Sequence, residues 1–188
     1  MNIAFDIDDT LCNNTVITNY LKKKGFDPYK VLTNFHIKNL KISQEHKNNI
    51  IDLFSSSHMV KLKPNPNAQY VIEKILSFKG NEVYVITARD NDMKAGTNKM
   101  VKKYFPGIKP KNINYTNGKS KASLLRKLNI DYFVEDNIEA VLELAPMFPK
   151  ITFFVLSYEE TPHNHETIAQ MQPLPNVQII YDLKEMLL

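Results

Sequence analysis

A single cysteine, Cys12, stands in a chain of 188 residues, which excludes an internal disulfide and fits a reducing compartment. No apolar run approaches the roughly 20 residues that span a bilayer. Met1-Asn2-Ile3-Ala4-Phe5 runs directly into acidic residues, so no secretory leader is expected either. Internal repeats and low-complexity tracts are missing. With 43% hydrophobic and 23% charged residues, the composition excludes a collagen-like, coiled-coil or disordered chain. What remains is a soluble protein, expected in the cytoplasm: one domain, or one domain with a modest insertion. At this size folding buries roughly 70% of the extended chain's surface, and no disulfide or metal staple is required.

The charge balance is mildly basic, with 24 Lys+Arg against 20 Asp+Glu and a net charge of +4. Such a surface favours anionic ligands in general. The lysine groups Lys22-Lys23-Lys24 and Lys102-Lys103 close helical patterns, where cations oppose the negative end of the helix dipole and need no ligand to explain them. No Arg-rich or aromatic-interleaved stretch suggests a groove for a nucleic-acid strand.

Short apolar runs alternate with helical patterns. Ile3–Phe5, Glu82–Thr87, Tyr132–Val134, Ile151–Leu156 and Val177–Tyr181 are rich in β-branched and aromatic residues, as expected of strands covered on both faces. Between them, Ala68, Val71, Ile72, Ile75 and Leu76 form a helical stripe after Pro66 and before Gly80. Ser120 can cap a helix through Leu128, and residues 137–147 form another. This alternation predicts an α/β fold with a parallel sheet between helical layers. The alternation breaks between Thr15 and Leu62, where only helical patterns occur: Val16–Lys24, Pro28–Leu40 and Ser43–Phe54. Residues 15–62 are therefore expected to form a small helical cap, with 1–14 and 63–188 as the core; Pro64 and Pro66 mark the return.

Ligands of open parallel sheets bind at the carboxyl ends of the strands. The residues following the first three main runs are Asp6-Ile7-Asp8-Asp9-Thr10, Thr87-Ala88-Arg89-Asp90 and Glu135-Asp136-Asn137. Acidic clusters at two strand ends would meet at one sheet edge and repel each other. A divalent cation relieves that repulsion, and an all-oxygen set suits Mg²⁺. Taken singly, an Asp-rich turn reads equally well as a helix cap.

Together, FDIDDTL (Phe5–Leu11), VITAR (Val85–Arg89), GKSK (Gly118–Lys121) and VEDN (Val134–Asn137) resemble the four ordered motifs of the haloacid dehalogenase superfamily of phosphohydrolases. The likeness runs from residue 3 to about 156. The helical insertion and the ITAR and EDN stretches look most like the 5′(3′)-deoxyribonucleotidases and related bacterial nucleotidases. The resemblance implies a three-layer Rossmann-like core with a helical cap inserted after the first strand.

It also implies roles. Asp6 attacks phosphorus and forms an aspartyl-phosphate; Asp8 protonates the leaving oxygen and later deprotonates water. Asp6, the Asp8 backbone carbonyl and Asp136 hold Mg²⁺, with Glu135 behind them orienting a bound water. Thr87 and the Ala88 N–H bind phosphoryl oxygens, and Lys121 neutralises the phosphate, with Lys119 as the alternative. Where relatives often carry Gly after the second Asp, this chain has Asp9, which is left out of the catalytic set.

The expected substrate is a small phosphomonoester, a nucleoside or deoxynucleoside 5′-monophosphate first. Sugar phosphates and nucleic-acid 3′-phosphate ends are the alternatives, and a non-catalytic phosphate- or partner-binding module is a further one. Phe26, Tyr29, Phe35 and His36 of the insertion could stack on a base, although aromatics at helical spacing suit a core equally. His163 and His165 lack a third ligand at a zinc spacing. Oligomeric state is not readable from the sequence.

Overall fold

The computed structural model describes residues 1–13, 15–27, 42–53, 62–157 and 174–187. Six parallel strands form the main sheet: β1 (Asn2–Phe5), β4 (Glu82–Thr87), β5 (Ile113–Tyr115), β6 (Tyr132–Glu135), β7 (Thr152–Leu156) and β8 (Val177–Ile180). Their order is β5-β4-β1-β6-β7-β8, which places β1 between β4 and β6. A separate two-rung antiparallel ladder joins β2 (Cys12–Asn13) to β3 (Lys63–Pro64).

Helices cover the sheet on both faces, and β1 shows why. Ile3 and Phe5 enter one buried cluster with Val71, Ile72, Met100 and Val101. Ala4, between them, enters the opposite cluster with Leu125, Phe133, Val141 and Phe153. Alternate side chains of a strand point to opposite faces, so a strand apolar throughout needs a layer on each side.

The first layer carries α3 (Ala68–Ser77) and α4 (Lys94–Tyr104). The second carries α5 (Ala122–Lys127) and α6 (Ile138–Leu144). The helix expected over 137–147 ends earlier, at Leu144, and tightens into a 3₁₀ turn over Ala145–Met147, where Pro146 has no N–H for a further α-helical bond. Ser120 accepts from the Ala122 N–H at 3.3 Å just before α5. Edge strand β5 escapes the apolar pattern because its three residues are half-buried and its centre is Asn114.

Of the helical insertion, α1 (Thr15–Lys23) and α2 (Gln44–Leu53) are described. Ile17, Leu21 and Ile50 from these helices belong to the same buried cluster as Phe5. Tyr20, Phe26 and His46 knit the pair: the Tyr20 hydroxyl lies 3.0 Å from His46 Nδ1, and the Phe26 and His46 rings meet edge-on at 4.8 Å. Phe26 is thus packed within the insertion. The expected helix over 28–40, with Tyr29, Phe35 and His36, and the His163 and His165 loop lie outside the described residues.

Candidate active site at the carboxyl edge of the sheet

Strands β1, β4 and β6 end side by side, so the three polar segments that follow them converge. Asp6 extends the ladder by one bond, its N–H donating to the Val134 carbonyl at 3.0 Å. Its carboxylate is buried, and Lys121 Nζ lies 2.6 Å from Oδ1. The same ammonium lies 2.5 Å from Glu135 Oε2 and over the Phe133 ring. Carboxylate oxygens of Asp6, Glu135 and Asp136 lie within 4.8 Å of one another.

Lys121 reaches Asp6 because the loop before α5 is pinned to the end of β4. The Thr116 N–H donates to the Thr87 carbonyl at 2.9 Å, and the Gly118 N–H to the Ala88 carbonyl at 2.8 Å. Asn117 and Gly118 take consecutive left-handed conformations, φ 53° and 71°, turning the chain back toward the sheet. Between the two candidate lysines the geometry discriminates: Lys121 is buried against Asp6, whereas Lys119 is exposed.

One ammonium faces three carboxylates here. Burial, together with Glu135 and Asp8, pushes the Asp6 carboxyl up to about 7 despite Lys121 beside it. Burial, then Glu135, Asp9 and Asp6, raise Asp136 well above the carboxylate range. Burial alone would lower Lys121, but Asp6 and Glu135 outweigh it and hold the ammonium charged.

The oxygen-only donor set fits a hard divalent cation such as Mg²⁺. Glu135 is already engaged on both oxygens, by Lys121 and by the Asn137 N–H at 3.1 Å. Asp6 and Asp136 are the freer pair, with Asp136 oriented by the Thr10 hydroxyl at 2.9 Å.

Thr87 is fully buried at the end of β4, and its Oγ1 accepts from the Arg89 N–H at 3.3 Å. Asp9 sits in the left-handed region at φ 56°, its N–H donating to the Cys12 carbonyl at 2.8 Å. That conformation favours glycine, and Asp tolerates it better than most residues. Cys12 is no nucleophile: burial pushes its thiol up to about 12.

Three residues carry more of the site than the sequence reading gave them. The Arg89 guanidinium grips both Asp8 oxygens, Nε at 2.8 Å and Nη2 at 2.6 Å. Asn65 Nδ2 donates to the Asp9 and Thr10 carbonyls at 2.8 and 2.9 Å, clamping the turn that carries Asp8. Thr10 orients Asp136, as described above. Arg89 and Thr10 lay inside quoted motifs and Asn65 between Pro64 and Pro66, but the partner of each is distant in sequence: Arg89 and Asp8 are 81 residues apart.

This strand order, with a helical segment inserted after β1, is the haloacid dehalogenase-like fold. A hydrolase of that family from Streptococcus pneumoniae superposes with a TM-score of 0.66 at 15% identity, covering 99% of this chain and 96% of that one. A Deinococcus radiodurans family hydrolase with bound phosphate and sodium gives 0.62 at 12%, covering 98% and 92%. In sequence, the chain is 26% identical to a protein named a nucleotidase from Clostridium acetobutylicum over 183 aligned positions, covering 89% of this chain and 87% of that protein. No family model matches the sequence. Among the described residues no helix is long and apolar enough to cross a membrane.

Proposed function

We propose that the chain is a phosphoric monoester hydrolase that works through an aspartyl-phosphate on Asp6 and takes nucleoside monophosphates. The observation that carries this reading is the meeting of Asp6, Lys121 and Asp136 at one sheet edge, beside Thr87. Bound Mg²⁺, held by Asp6, the Asp8 carbonyl and Asp136, would neutralise charge on the phosphoryl oxygens.

An Asp6 oxygen attacks phosphorus as the bond to the ester oxygen breaks, and Asp8 delivers its proton to that leaving oxygen. Asp8 then takes a proton from water as the water oxygen attacks phosphorus, releasing inorganic phosphate and restoring the Asp6 carboxylate. Lys121 balances the charge of Asp6 and the phosphate; the Thr87 hydroxyl and Ala88 N–H bind phosphoryl oxygens. The choice of nucleotides is supported by the name of the clostridial relative.

The test is a panel of nucleoside monophosphates, sugar phosphates and 3′-phosphorylated oligonucleotides assayed with Mg²⁺ for phosphate release. Nucleotides are expected to rank first, and Asp6→Asn to abolish turnover while keeping the circular dichroism spectrum. Activity above a few per cent in that variant overturns the nucleophile; a sugar phosphate ranking first overturns the substrate class.

A further inference from the structure

Asp8 lies on the turn between β1 and β2, while Arg89 lies just beyond β4. Arg89 is buried, with 3% of its side chain exposed, whereas Asp8 keeps 19%. The guanidinium is fixed from behind as well: Nη1 donates to the Thr97 hydroxyl, on α4, at 3.1 Å. Asp6, Glu135 and Asp136 hold the uncompensated acid, yet their cation is Lys121 and Arg89 spends its fork on Asp8.

A bidentate fork restrains more than it neutralises. Two parallel N–H···O bonds fix the plane of a carboxylate as well as its distance, which a lysine ammonium cannot do. We propose that Arg89, anchored by Thr97, is the positioning residue that sets the Asp8 carboxyl for proton transfer to the leaving oxygen. The inference rests on the phosphatase reading above and adds a residue to it. Arg89 acts through Asp8 and touches neither phosphorus nor ester.

Phosphate esters with different leaving groups separate this role from a structural one. Phenolate requires a proton as it departs, whereas 2,4-dinitrophenolate does not, and kcat/KM reports the steps through formation of the phosphoenzyme. Arg89→Met is expected to lower kcat/KM for phenyl phosphate by about 10²-fold, the scale of general-acid catalysis, but for 2,4-dinitrophenyl phosphate by less than about fivefold. Arg89→Lys, which restores charge without the fork, should fall between wild type and Arg89→Met on phenyl phosphate. Thr97→Val, nearly isosteric, should show the same selective loss on a smaller scale and serves if Arg89→Met does not fold.

Equal losses on the two esters, or no loss on either, overturn the proposal. A wild-type protein that hydrolyses neither ester with Mg²⁺ overturns the phosphatase reading beneath it, a distinct result.

Discussion

At the scale of single residues, the carboxyl edge of the sheet is crowded with polar groups, and nearly all have partners. Thr116 is the exception: its hydroxyl is buried and has no hydrogen-bond partner among the described residues. A buried hydroxyl without a bond bears its desolvation cost uncompensated. Thr116→Val keeps the shape and removes the polar atom, and is expected to stabilise the protein by about 1 kcal/mol in urea unfolding. The backbone N–H of Thr116, which pins the loop to Thr87, is unaffected, so Lys121 keeps its place.

Among secondary-structure elements, the turn from β1 into β2 is the part most dependent on a distant residue. Asn65, past the insertion, binds the Asp9 and Thr10 carbonyls with its side chain, and its N–H donates to the Leu11 carbonyl. Asn65→Ala removes both side-chain bonds to the turn and should cost roughly 1–3 kcal/mol in chemical denaturation. It should also reduce turnover, because the loosened turn carries Asp8 and Thr10. The apolar runs made the central strands legible in the sequence, since β1, β4, β6 and β7 are each covered on both faces and are apolar between their end residues. Strand β5 and the β2–β3 ladder were not, being short and partly exposed, with pairing set by neighbours rather than by pattern. The same split divides the site. Asp6 stands directly after one apolar run and Asp136 one residue beyond another, whereas the Arg89–Asp8 fork and the Asn65 clamp depend on contacts that no local spacing encodes.

For the whole molecule, the buried acids couple stability to pH and, on the function proposed above, to Mg²⁺. The carboxyl of Asp6 is raised to about 7 in the folded chain, above its unfolded value near 3.8, and Asp136 is raised as well. A raised carboxyl is neutral in both states below the unfolded value and costs nothing there. As pH climbs from about 4 the unfolded chain ionises first, so stability is lost until Asp6 ionises near 7. Without metal, the protein should therefore melt lower at pH 8 than at pH 5. Excess Mg²⁺ should raise the melting temperature more at pH 8, where no proton must be displaced, by about 2–4 °C per kcal/mol gained. Scanning calorimetry at both pH values checks this, and Asp6→Asn should narrow the pH difference.

The ladder between Cys12–Asn13 and Lys63–Pro64 brings the exit and re-entry of the insertion side by side, with Asn65 locking the junction. With the two ends fastened together at the base, doubling the length of that excursion costs only about 0.6 kcal/mol in closure entropy, provided Ile17, Leu21 and Ile50 keep their places in the buried cluster. The chain thus contains a ready-made graft point, where foreign helical segments could be exchanged while the acidic sheet edge underneath keeps its register.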